Sequence, residues 1–121
     1  MARQVSIMGS FIVKDSTGKN TETKKDVNFP ILVNQKVDLL EVIPKCTTDM
    51  MLPMNGLQVI QAIYLNPDSE ITVKFDSVTN SGFPLSGPLM MTNANSAGPT
   101  AIYVSTGVLL DVTLEAILGG P

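Results

Sequence analysis

Histidine and tryptophan are absent from this 121-residue sequence, and cysteine occurs once, as Cys46. Without histidine, a Ser or Cys nucleophile lacks its usual general base. Zinc and most transition metals also lack their commonest ligands. A single cysteine cannot form an internal disulfide, and we expect Cys46 to be a buried, inert thiol. The sequence therefore predicts no catalytic residues, no metal ligands and no cofactor, so we expect that the protein is not an enzyme.

Charge is also scarce, since only 16% of the residues are Asp, Glu, Lys or Arg, against roughly 25% in an average soluble protein. Two explanations stay open: ordinary variation among β proteins, or a surface that lies largely against other subunits, because interface cores are depleted in charge. The eight basic residues are outnumbered by eleven acidic ones. No basic stripe is present to neutralise a phosphate backbone, so we expect no nucleic-acid binding.

Long apolar runs are missing as well. The N-terminal residues lack the apolar segment of a signal peptide. The uncharged stretch 77–110 is too rich in Ser, Asn, Gly and Pro to span a bilayer as a helix. We expect no membrane association, and synthesis and function without secretion through the usual pathway.

Aliphatic side chains are plentiful, and much of their spacing has the period of two that is typical of β-strands. Val5, Ile7, Phe11 and Val13 share one parity and predict a strand over residues 3–14, in which Gly9 indicates a bulge or a close backbone approach. Similar alternation predicts strands over 57–65 and 70–76, joined by the turn sequence Asn-Pro-Asp-Ser into an antiparallel hairpin. A closing strand is predicted from residue 110 to residue 118.

Polar and turn-forming residues separate these segments. Residues 15–26 are predicted to form an exposed polar loop. Residues 77–100 are predicted to form a long Ser/Asn/Gly/Pro-rich loop region with one short strand at Leu89–Met91. The whole chain, 1–121, is predicted to be one all-β domain. We expect an antiparallel, jelly-roll-like β-sandwich of seven to nine short strands, with a smaller barrel as the alternative.

The second half of the chain has a familiar order of strands. It runs through Gln61–Leu65, Ile71–Phe75, Leu89–Met91, Ala101–Ser105 and Val112–Gly120. This order resembles that of small structural proteins encoded among the virion genes of tailed bacteriophages. The resemblance covers about half the chain and rests on strand order and residue type. It implies a β-sandwich subunit of a phage particle, made in the host cytoplasm and located in the virion.

The resemblance leads to a specific hypothesis, a non-enzymatic capsid decoration (cement) subunit. Such proteins are often homotrimers at local three-fold axes, in contact with the major capsid protein, and tail or neck components are the other position in the particle. A receptor- or glycan-binding module of a phage tail or fibre is the alternative function. Apolar residues in uncharged loops are the predicted contacts, because methionine in particular suits adaptable surfaces. They are Met50, Met51, Leu52, Met54, Phe83, Leu85, Met90 and Met91.

Overall fold

The computed structural model describes residues 3–93 and 98–121. This part of the chain contains ten β-strands and no helix. No helix among these residues is therefore long and apolar enough to cross a membrane. The strands are β1 (Arg3–Lys14), β2 (Thr21–Val33), β3 (Gln35–Ile43), β4 (Met50–Met51), β5 (Ala62–Pro67), β6 (Ile71–Phe75), β7 (Phe83–Leu85), β8 (Leu89–Thr92), β9 (Ile102–Ser105) and β10 (Val112–Gly120).

Eight of the strands form two four-stranded antiparallel sheets. The first sheet has the order β3-β10-β5-β8 and the second the order β4-β9-β6-β7. From β3 to β10, successive strands alternate between the two sheets except at β6 and β7, which are neighbours in the second sheet, and this is the pattern of a jelly roll. The predicted all-β, jelly-roll-like sandwich is confirmed, although the described chain has ten strands instead of seven to nine.

An aliphatic core lies between the two sheets. Along β10, the buried residues Val112, Leu114, Ala116 and Leu118 alternate with more exposed ones until the strand reaches its glycines. The second sheet contributes inward-facing residues with the same period, such as Val73 of β6, which lies opposite Val104 of β9. No polar or charged residue is buried among the described residues. Burial of aliphatic side chains between the sheets is therefore the main stabilising contribution.

Strands β1 and β2 belong to neither of these sheets and pair only with each other in the described chain. Their register runs continuously from Arg3 opposite Val33 to Val13 opposite Thr23. We call this hairpin, residues 3–33, the arm. At about 3.4 Å per residue, its strands are roughly 40 Å long. The predicted strand over residues 3–14 is confirmed, but Gly9 marks neither a bulge nor a close approach: the register is unbroken there and shifts between Val13 and Lys14, and no atom lies within 4 Å of a Cβ on Gly9. The predicted loop over 15–26 is wrong beyond residue 20. Residues 21–26 belong to β2 because β1 offers them a pairing edge.

The predicted hairpin between residues 57–65 and 70–76 is also wrong. Strand β5 begins only at Ala62 and pairs with β10 and β8, whereas β6 pairs with β7 and β9. The turn between them is a corner that passes from one sheet to the other. Asp68 fixes this corner to β10, since its N–H donates to the Thr113 carbonyl (3.0 Å) and its carboxylate accepts from the Thr113 N–H (2.9 Å).

The predicted loop region over residues 77–100 contains more structure than the sequence indicated. Strand β8 confirms the short strand predicted at Leu89–Met91, and β7 is an additional strand that pairs with β6. Residues 94–97 of that region lie outside the described residues. Cys46 corrects another expectation, because its side chain is exposed instead of buried. Its backbone has a left-handed φ of 64° in the connection that follows β3.

Candidate protein-interaction site

The arm has one apolar face and one mostly polar face. In an antiparallel pair, residues directly opposite each other lie on the same face, and the register places odd-numbered residues of both strands together. On the opposite face, the Ser10 hydroxyl donates to the Asp26 carboxylate across the ribbon at 2.7 Å. The arm's apolar face comprises Val5, Ile7, Phe11, Val13, Val27, Phe29, Ile31 and Val33.

The root of this apolar face is docked on the protein's own body. Ile31 and Val33 are buried in a small cluster with Ala62 of β5. A Cβ built on Gly119 of β10 would lie 3.1 Å from a methyl carbon of Val33, so the missing side chain makes room for the arm. The Asn34 N–H donates to the Gly120 carbonyl at 2.8 Å directly after the arm ends. The root of the arm is therefore fixed to the body at a place where β5 and β10 present small residues.

The distal part of the same face is uncovered. Phe11 is 64% exposed and Phe29 is 54% exposed, although both lie on the face that is buried at the root. A two-stranded ribbon is marginally stable by itself in water and normally needs an apolar face to be covered. Two aromatic rings are therefore exposed to water on a ribbon whose apolar face would normally be covered, and this is the clearest sign of a missing partner in the described structure.

The turn at the tip of the arm is held by local hydrogen bonds. The Asp15 carboxylate accepts from the Thr17 hydroxyl (2.6 Å), the Thr17 N–H (3.1 Å) and the Asn20 side-chain amide (2.7 Å). These bonds lower the pKa of Asp15 from 3.8 to about 2, because they favour the ionised carboxylate. The bond from the Thr17 hydroxyl has the largest effect. Gly18, with a φ of 74°, takes the left-handed position of the turn. The arm thus ends in a defined turn.

A second apolar surface lies on the outer face of the first sheet, the face directed away from the core. The register places the even-numbered residues of β3 on this face, where Leu40 is 72% exposed and Val42 is 63% exposed. In the next row towards the arm, Ile117 lies between Asp38 and Tyr64, and Met90 of β8 completes the row. The outer face is thus a mixed surface in which aliphatic side chains stand exposed.

A cleft of about 210 Å³ separates the root of the arm from this outer face. Ile7 lines it on the arm side, and Tyr64, Met90 and Ile117 line it on the sheet side. Lys36 stands at the cleft and forms an ion pair with Asp38 at 2.9 Å. The walls are therefore largely apolar, and a charged pair lies beside them.

The predicted contact residues do not form one surface. Leu52 is completely buried in the core, so its assignment as a contact residue is wrong: its side chain has turned inward beside β9, where its N–H donates to the Ile102 carbonyl at 2.9 Å. Three of the eight are exposed. Met51 belongs to the second sheet, whereas Met90 and Met91 line the cleft at the first sheet. The other four are partly buried and pack against the core: Met50, Met54, Phe83 and Leu85.

Several strongly exposed apolar residues were not predicted as contacts from the sequence. Phe11 was placed on one face of a predicted strand but not named as a contact, and neither were Phe29 and Leu40. Parity could have found the arm, because the odd-numbered apolar residues from Val27 to Val33 continue the pattern of Val5 to Val13. The loop between β9 and β10 was missed too, and there Val108 and Leu109 are strongly exposed.

The charged side chains of the described residues form isolated ion pairs and no metal-binding cluster. Within residues 3–93 and 98–121, no group of three or more His, Cys, Asp or Glu side chains is placed to hold a metal ion. The best shielded ion pair joins Lys74 and Asp49 at 3.1 Å. The Lys74 ammonium also donates to the Val78 carbonyl at 3.0 Å. This arrangement ties the segment before β4 to β6 and stabilises the second sheet.

Comparison with protein-family models, with curated proteins and with solved structures gives no match to this chain.

Proposed function

We propose that this protein is a non-enzymatic structural subunit of a tailed-bacteriophage virion, a capsid decoration protein that stabilises the shell by bridging its neighbours. The observation that carries the proposal is the arm, an ordered amphipathic ribbon whose distal apolar face is uncovered. Binding surfaces of this kind suit a protein that works by contact with other subunits.

The physical argument concerns exposed apolar area. A soluble monomer rarely exposes a contiguous apolar patch larger than a few hundred Å². Here, Phe11 and Phe29 on the arm and Leu40 and Val42 on the first sheet are all exposed by more than half. Covering such surfaces removes apolar area from water at roughly 25 cal/mol per Å². Repeated over many subunits around a shell, contacts of modest strength add up through avidity.

The assignment to a phage rests on the resemblance in strand order from residue 61 onward. The jelly roll adds support by fold-level analogy, since viral capsid domains use it, as do lectins. In this proposal the subunits form a homotrimer and contact the major capsid protein. They are made in the host cytoplasm and act in the virion.

The test is an add-back experiment with phage particles grown without the gene for this chain. Purified recombinant protein should co-sediment with these particles at a saturable, fixed copy number, and it should raise the temperature at which they release DNA. Particles that already carry the chain are the matched control, because their sites are filled and they should bind no more. Antibody labelling should mark the shell.

Two outcomes would contradict the proposal. One is an absence of binding together with an unchanged temperature of DNA release. The other is labelling confined to a tail or fibre, which would favour a tail component over a decoration protein.

A further inference from the structure

We propose that the distal half of the arm's apolar face, from one subunit, packs on the outer face of the first sheet of a second copy of this chain. The proposal goes beyond the virion assignment, because it concerns the chain's own two surfaces and requires no other component. Phe11 and Phe29 are the anchors that the arm provides, and Leu40, Val42 and Ile117 form the surface that receives them.

The first argument is continuity with a contact that already exists within the subunit. Val33 and Ile31, at the root of the arm's apolar face, pack on this same sheet beside Ala62 and Gly119. The register makes Ala62 and Gly119 one row of the outer face, and the row of Ile117 is the next. The uncovered part of the arm therefore continues the face that already packs on this sheet, and the uncovered part of the sheet continues the surface that receives it.

The second argument is that a subunit does not cover its own outer face. Phe11 and Leu40 are 64% and 72% exposed in the same subunit, so the distal arm and the sheet do not shield each other. The arm has little freedom to turn back at its root. Only Asn34 separates β2 from β3, its N–H is bonded to Gly120, and Val33 before it is buried. The occupant of the sheet must then come from another molecule.

The third argument is charge complementarity. The arm, residues 3–33, contains five basic and three acidic residues, whereas the rest of the chain contains three basic and eight acidic ones. Lys25 lies directly opposite Phe11 on the apolar face. On the outer face of the first sheet, Glu115 lies between Leu40 and Asn66 and forms no ion pair with any described residue.

These charges also discriminate between two ways of pairing the copies. Stacking two arms face to face would bring together faces whose charged residues, Arg3 and Lys25, are all basic. Placing the arm on the sheet brings Lys25 towards a surface that carries Glu115 instead. Like charges in direct opposition destabilise a contact, and opposite charges across an interface favour the correct register. The arm-on-sheet arrangement is therefore preferred over an arm-on-arm dimer.

The first experiment measures the mass of the full-length protein by light scattering over a range of concentrations. The wild-type chain should form a closed oligomer whose mass falls on dilution. The double substitution Phe11→Ser with Phe29→Ser removes two aromatic anchors and should raise the dissociation constant by about 30-fold or more. Leu40→Ser, on the receiving surface, should act in the same direction.

The matched control uses the opposite face of the same ribbon. Met8→Ser with Ile12→Ser removes two exposed apolar side chains, 71% and 47% exposed, that point away from the proposed contact. This control should change the dissociation constant less than threefold. Circular dichroism on every variant checks that the sandwich remains folded. A wild-type chain that stays monomeric up to its solubility limit would overturn the proposal, as would equal effects of the two double substitutions.

Cross-linking identifies the surfaces that meet. In a Cys46→Ser background, chains carrying Phe11→Cys are mixed with chains carrying Leu40→Cys and treated with a short bismaleimide. A mixed dimer should form, whereas Met8→Cys in place of Phe11→Cys should give none. A dimer formed by the Phe11→Cys chain alone would show arm-on-arm stacking and refute the arrangement. Because these assays contain only this chain, their failure would leave the add-back test of the proposed function unaffected, and the converse also holds.

Discussion

Two consecutive residues, Met51 and Leu52, give the sharpest test of the described architecture. Both were expected at a contact surface, yet Met51 is 50% exposed on β4 and Leu52 is completely buried next to it. Leu52→Ala removes a fully enclosed side chain from the core, which typically lowers the free energy of unfolding by about 2–5 kcal/mol. Met51→Ala changes a half-exposed residue and should alter it by only about 0.5 kcal/mol.

The measurement is thermal and urea unfolding of both variants, followed by circular dichroism at one fixed, low protein concentration. For a chain of this size, a loss of about 3 kcal/mol corresponds to a Tm lower by roughly 10–15 °C. The fixed concentration matters because association stabilises the folded state by mass action. If Leu52→Ala lowers the free energy of unfolding no more than Met51→Ala does, then the Leu52 side chain does not point into the core as described.

Two further predictions concern the backbone and the tip of the arm. A Cβ on Gly98 would overlap the Ile60 carbonyl oxygen, so Gly98→Ala should destabilise by about 2–3 kcal/mol; Gly107→Ala, with no atom within 4 Å, is the control and should be neutral in urea unfolding. The Asp15 carboxyl should titrate near pH 2 by carbon-13 NMR, as its pKa is lowered to about 2. A lowered pKa means that its contribution to the order of the tip is complete above about pH 4 and is lost as the pH falls towards 2. Titration near pH 4 would contradict the hydrogen bonds to Thr17 and Asn20.

The class of fold could be predicted from the sequence because the alternation along β1, β6 and β10 is a local signal. Residues Val112 to Leu118 follow a period of two that the packed sheet preserves. The absence of a helical period and the frequent Gly and Pro turns then left a sandwich as the natural arrangement. These features depend on neighbouring residues alone.

The partners of each strand could not be predicted in the same way. The turn after Pro67 has the residues of a tight hairpin, yet Asp68 bonds to Thr113, 45 positions away, and the chain crosses to the other sheet. In a jelly roll, nearly all pairings are distant along the chain, so turn chemistry does not determine which strands meet. Residues 21–26 were missed for a different reason, because their polar composition suggested a loop although β1 lay directly across the turn as a partner.

The exposed apolar residues of the candidate site could not be located from the sequence. Scarce charge left ordinary variation and a covered surface both open, and the apolar residues in predicted loops led to the methionines near residue 50 as expected contacts. Whether an apolar residue is core or surface is decided by the direction of its side chain after the chain has folded. Leu52 points inward, whereas Phe11 has an inward-looking pattern but no body beneath it.

The arm links stability to association in a single equilibrium. Its root is fixed by Val33 in the body, and its tip by the hydrogen bonds of Asp15, but the length between them carries Phe11 and Phe29 without cover. A ribbon of two strands gains little from its own hydrogen bonds, since water can replace them, and depends on burial of one face. A partner that covers these rings would therefore contribute binding energy and also stabilise the distal arm. In the arrangement that we propose, the first sheet of each copy covers the distal arm of its neighbour. Contact between copies then accounts for both the charge-poor surface and the exposed aromatic residues.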